Sequence, residues 1–227
     1  TGDLVLSAVT SITADSLSAT AGSIDIDSGT TVSVNSLAAG SAVFVTSAGA
    51  MTLGGVTASN GIVDLLATGA ASDITLGANI TATNTGLTAA QPGIRAVAGR
   101  DVLVGSTTSL TTLGSGGITL QAVRDVNLKV NDGGNNASAN SIQAVGNLVV
   151  TATGGQIFKT DGNALSLDAA NVALNASTTI GAFDGTITAT AGNVALNANG
   201  AVAFTAINAA GSTGSIAITS NAASITG

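Results

Sequence analysis

The only ionisable side chains in this 227-residue chain are twelve acids, all Asp, and five cations: Arg95, Arg100, Arg124, Lys129 and Lys159. Carboxylates clustered with Lys or Arg are what sugar-chain cleavage needs, because one group must give or take a proton as another stabilises charge. Asp25 and Asp27 stand at i and i+2, so they share one face of a strand. No basic residue lies near them in sequence, and they read as a solvated outer face. The cations are more suggestive. Arg95, Arg100, Arg124 and Lys129 fall close together and form a candidate ligand or contact patch. Arg100-Asp101-Val102 repeats as Arg124-Asp125-Val126, 24 residues later. Such a column reads first as a surface ion ladder, and alternatively as a seat for an anionic sugar or a neighbouring chain.

Other chemistries fail on composition. With no His and no Cys there is no imidazole base, no catalytic triad, no thiolate and no disulfide. Segment 131–136 (Asn-Asp-Gly-Gly-Asn-Asn) carries one carboxylate, too few for a calcium site, and the G-G-x-G-x-D nonapeptide is absent. No phosphate-binding G-x-x-x-x-G-K-[ST] motif occurs. Paired Thr at 81/83, 151/153 and 186/188/190 do not recur on a fixed position, which argues against an ice-binding array. A formal charge of -7 with few cations does not suit nucleic acid. The expectation is a protein with no catalytic residues, no cofactor and no metal, and not an enzyme.

The elements that carry these residues are strands. Helical surfaces favour Glu, Lys and Gln, yet Glu is absent and the chain is rich in Ser, Thr, Asn, Asp and Gly. Disorder is disfavoured by 45% hydrophobic residues, 7% charge and one Pro. Apolar runs such as 201–204 are far below the roughly 20 residues of a membrane span, and no secretory leader pattern opens the chain.

A repeat organises the strands. Asn-Val-Ala-Leu-Asn-Ala at 171–176 recurs at 193–198. Extending that pattern gives ten first-apolar positions: Leu4, Val32, Met51, Ile74, Val102, Val126, Leu148, Val172, Val194 and Ile216, separated by 19 to 28 residues. Seven of the preceding residues are Asp or Asn, which hydrogen-bond turn backbone. Two further apolar series, one through Ile24, Val43, Val63, Ile94 and Ile118 and one through Ile12, Leu37, Val56 and Ile80, imply three short strands per period. The predicted fold is all-β: a right-handed parallel β-helix, or β-solenoid, of roughly ten triangular coils of about 22 residues. At ~4.8 Å per coil it would span about 45–50 Å. Val102, Val126, Leu148, Val172, Val194 and Ile216 should form one inward column.

The chain reads as a single domain over 1–227, an internal or uncapped segment, because the coil pattern runs from end to end with no polar cap in it. Long intervals predict loop insertions near 14–21, 81–92 and 131–140.

At Ala98-Gly99-Arg100-Asp101-Val102-Leu103-Val104, Gly116-Gly117-Ile118-Thr119-Leu120 and Ala191-Gly192-Asn193-Val194-Ala195-Leu196, the sequence resembles the repeats of filamentous-haemagglutinin-type bacterial exoproteins. The resemblance spans almost the whole chain, but such repeats are common to adhesins, toxin shafts, autotransporter passengers and biofilm matrix proteins. It implies a right-handed β-helical shaft of a secreted protein at the bacterial cell surface, with no catalytic residues to carry over. Expected partners are flanking solenoid coils, other copies of the chain, or cell-surface glycans. The alternatives are a self-assembling filament subunit stacking head to tail and a polysaccharide-binding or polysaccharide-degrading β-helix.

Overall fold

Alternating apolar and polar residues, broken every few positions by Gly, Asn, Asp or Ser, give short strands that bury one face and turn. The computed structural model describes residues 2–130 and 140–227, and contains no helix among them. The first three coils hold two strands each: β1 (Leu4–Ala8) and β2 (Ile12–Ala19), β3 (Ile24–Ser28) and β4 (Val32–Ala39), β5 (Val43–Ser47) and β6 (Met51–Ala58). Four coils of three strands follow. They are β7 (Val63–Ala67), β8 (Ile74–Leu76) and β9 (Ile80–Asn84); β10 (Pro92–Ala98), β11 (Val102–Val104) and β12 (Leu110–Gly114); β13 (Gly117–Ala122), β14 (Val126–Asn127) and β15 (Asn140–Gln143); and β16 (Leu148–Ala152), β17 (Ile157–Phe158) and β18 (Leu165–Ala169). Three two-strand coils finish the stack: β19 (Val172–Ala176) and β20 (Ile180–Ala189), β21 (Val194–Ala198) and β22 (Val202–Ala209), β23 (Ile216–Ser220) and β24 (Ile225–Thr226). The fold is a parallel β-solenoid of about ten turns.

One side is an unbroken ten-stranded parallel sheet, β1-β3-β5-β7-β10-β13-β16-β19-β21-β23. The remaining strands form a sheet that branches. β6 pairs with both β8 and β9, two arms run through β11-β14-β17 and β12-β15-β18, and both arms rejoin on β20. In coils with two strands, the long strand turns the corner itself. In β4, Asn35 and Ser36 interrupt the alternation between inward Val34 and inward Leu37. Two successive non-core residues bend the strand there, and the Asn35 amide donates to Asp15 of the coil below at 2.9 Å.

The core is a single stack of aliphatic columns. Ile24, Val43, Val63, Ile94, Ile118, Leu148, Val172 and Val194 stand in register along the first sheet and are 0–1% exposed. At the end of that sheet a second column reads Ala8, Ser28, Ser47, Ala67, Ala98, Ala122, Ala152, Ala176, Ala198, Ser220. Only Ala and Ser occur in it. The corner leaves room for one heavy atom beyond Cβ, and the buried Ser28 hydroxyl spends its polarity on Thr10 O at 2.6 Å.

The expected column of Val102, Val126, Leu148, Val172, Val194 and Ile216 is corrected here: it is two columns on different sides. Val102 and Val126 pair within the arm β8-β11-β14, and Val126 stacks on Ile157. Leu148, Val172, Val194 and Ile216 belong to the first sheet, where Leu148 stacks on Ile118. Both columns present an aliphatic residue after an Asx residue, so the pattern alone does not separate them. Unequal coil lengths complete the slip: the steps Val63 to Ile94 and Ile118 to Leu148 are longer than the rest. Ile216 is also 49% exposed, unlike the other five.

The insertion expected near 14–21 is likewise corrected. Residues 12–19 are strand β2, paired in register with β4, and Leu4 stacks on Ile24 rather than Val32. Of the expected 81–92 loop, Thr81–Asn84 belongs to β9, Pro92 opens β10, and 85–91 is irregular. That segment clasps later coils. Gly117 N–H donates to Gln91 O and Asn147 N–H to Ala89 O, both at 2.8 Å, while Leu87 N–H donates to Ser115 Oγ at 3.0 Å. Gly116 permits this with φ +90°, and a Cβ there would lie 2.7 Å from Leu87. Of the expected 131–140 insertion, 131–139 lies outside the described residues and Asn140 begins β15.

Candidate functional site

The turn before β8, β11 and β14 places Asp73, Asp101 and Asp125 one above another. Each carboxylate accepts a backbone N–H from the next coil: Asp73 from Asp101 at 3.2 Å, Asp101 from Asp125 at 3.1 Å, and Asp125 from Gln156 at 2.9 Å. The Asx column thus serves as a hydrogen-bond ladder running up the solenoid.

Arg100 and Arg124 lie over that ladder. Arg100 grips Asp73 through Nε at 2.7 Å and through Nη2, and Arg124 grips Asp101 the same way, with Nε at 2.9 Å. Each fork is bidentate, the geometry that suits guanidinium to carboxylate. Nε of Arg124 also lies 3.3 Å from Asp125, and Nε of Arg100 lies 3.6 Å from Asp101. The hydrogen bond to Asp73, and then its charge, raises the pKa of Arg100. Asp101 acts likewise on Arg124. The carboxylates are the sheltered partners: Asp101 is 6% exposed while Arg124 is 57% exposed. Three Asp against two Arg leave the column one negative charge in excess.

The structure does not bring the four cations into one patch. Arg95 is on β10, on the outer face of the first sheet, opposite Asp64 with 2.8 Å between Nη1 and Oδ1. Lys129 is fully buried, which removes it from any surface patch. Segment 159–164 of the next coil lies against it: Thr160 and Asp161 N–H donate to Lys129 O. Its Nζ donates to Ala164 O at 3.3 Å and lies 3.7 Å from Asp161 Oδ1.

Lys159, not singled out from sequence, completes this second cluster. Its Nζ donates to Asp161 O at 2.7 Å and Asn163 O at 3.0 Å, and pairs with Asp184 at 2.8 Å. The readable signal was local: Asp161-Gly162-Asn163 is a turn in which Asn163 N–H donates to Asp161 Oδ1 at 2.6 Å. That bond holds the Asp161 carboxyl below the ordinary carboxylate range. Burial opposes the shift, and Lys129 and Lys159 add to it.

The turns ahead of the later strands of the first sheet carry neutral side chains instead. Asn147, Asn171, Asn193 and Ser215 continue an Asx ladder ahead of the first sheet, and Asn175–Asn197 and Asn199–Asn221 are amide pairs at 2.9 Å. A shallow open groove runs past Thr151, Thr153, Asn175, Asn197 and Asn221. Asp25 and Asp27 are exposed on the outer face of β3. Among the described residues, no three Asp carboxylates gather where a metal ion could be held. None of these residues forms a helix long and apolar enough to cross a membrane.

Comparison of the chain with protein-family models, curated proteins and solved structures finds no match.

Proposed function

We propose that this chain is a stretch of a structural shaft, exported to the bacterial surface, whose work is reach, attachment or matrix building rather than catalysis. The observation that carries this reading is the use of its charged groups. Arg95, Arg100 and Arg124 are each engaged by an Asp of the preceding coil. All three guanidiniums, and the carboxylates that hold them, are thereby engaged in coil-to-coil cohesion, where a lyase or hydrolase needs such groups facing a substrate cleft. The resemblance to haemagglutinin-type repeats supports the surface location. Electron microscopy of the purified protein tests the reading: short rigid rods about 45–50 Å long per copy are expected. A compact particle, or depolymerisation of a polysaccharide panel lost on Asp101→Asn, would overturn it.

A specific feature favours a second reading, a filament. Every coil joins its neighbours through parallel strands in register, so a coil of a second copy can continue the same sheets. The same micrographs distinguish the two, since a filament lengthens with protein concentration and a shaft does not.

A further inference from the structure

The described chain holds two Asn-Gly dipeptides, Asn60–Gly61 between β6 and β7 and Asn199–Gly200 after β21. They are chemically identical and structurally opposite. At the second, the Asn199 side-chain oxygen accepts the Asn221 amide at 2.9 Å, and Gly200 N–H donates to Thr178 O. At the first, Asn60 is exposed, and neither its amide nor Gly61 N–H has a hydrogen-bond partner among the described residues. Gly61 is held at that corner by close stacking: a Cβ there would lie 2.7 Å from Ala42 N and 2.8 Å from Ser41 C. The stack therefore demands the one residue whose backbone nitrogen is least shielded.

We propose that Asn60 is a site of spontaneous covalent self-modification. The Gly61 backbone nitrogen attacks Cγ of Asn60, the new N–Cγ bond closes a succinimide, and the side-chain nitrogen leaves with the amide proton as ammonia. Water then opens the ring at either carbonyl, giving Asp or isoaspartate. Both products place a new carboxylate on the β6–β7 corner. Isoaspartate also adds a methylene to the backbone directly above Ser41 and Ala42. At Asn199 the same reaction must first break a side-chain and a backbone hydrogen bond.

The test is incubation of the whole folded protein at mildly alkaline pH, with a parallel sample in denaturant. Cleavage after Arg95 and Lys159 puts the two sites in separate fragments, 1–95 and 160–227, for tandem mass spectrometry. In the folded protein Asn60 should convert roughly tenfold or more faster than Asn199, as loss of two retained hydrogen bonds implies. In denaturant the two rates should converge. Equal rates in the folded protein, faster conversion of Asn199, or an intact Asn60 in the folded state alone would overturn the proposal. An Asn60→Gln variant should abolish the signal in its fragment, and persistence of that signal would also overturn the assignment.

Discussion

The column from Ala8 to Ser220 shows how narrow the chemistry of one position can be. Ten residues from ten coils meet at one corner, and every one is Ala or Ser. Ala122 is 0% exposed and stacked between Ala98 and Ala152. Replacing it by Leu inserts three carbons where neighbouring coils cannot separate. The Ala122→Leu protein should lose about 1–3 kcal/mol of stability, read from denaturant unfolding. Ala173→Leu, on the outer face of β19 two strands along the same sheet, should stay near wild type. At this scale the sequence was partly legible. The Asx residues were visible as a column ahead of the apolar positions. Which side each aliphatic residue served was not legible, because Val126 and Leu148 look alike in sequence and differ only in which strand lies above them. Lys129 was misread for a related reason: its burial is set by segment 159–164 of the next coil, and no local pattern around it announces that cover.

Among elements, the turn 159–164 is sensitive to acid. Asp161 accepts Asn163 N–H and lies beside Lys129 and Lys159, so its carboxyl ionises more readily when folded than when unfolded. The sign follows from linkage. The unfolded carboxylate titrates near 3.8, and the folded one lower. Stability from this group is present above the unfolded value and is lost as pH falls through the folded value. The unfolding midpoint should therefore drop as pH is taken below about 4, and Asp161→Asn should flatten that part of the profile. An identical acid limb in wild type and variant would count against the role given to the turn. The clasp at 85–91 belongs to the same scale. The long interval around it was readable, but that its carbonyls reach Gly117 and Asn147 in later coils was not, since backbone partners leave no trace in composition.

For the whole molecule, stability should be local. Each coil touches the ones above and below it, so cohesion sums over neighbours rather than over one closed core. Leu148→Ala, deep in the stack, should cost about 2–5 kcal/mol, with faster hydrogen exchange in β13 and β19 beside it and little change in β1 or β3. Uniform loss of protection along the chain would contradict a stack of near-independent neighbours. The solenoid itself was the most legible feature of all, because a repeat states its period many times over. Its branched second sheet was hidden, since two arms and one bent strand use nearly the same residues.

The unbroken sheet of ten parallel strands also sets how the rod bears load. Its hydrogen bonds run along the axis, and the covalent chain circles it. Compression presses coils together on every side at once, whereas bending closes them on one side and opens them on the other. Tension along the axis is resisted by those hydrogen bonds in series, so the weakest interface opens and the chain unwinds from it coil by coil. The molecule is stiff as a strut and peels as a spool.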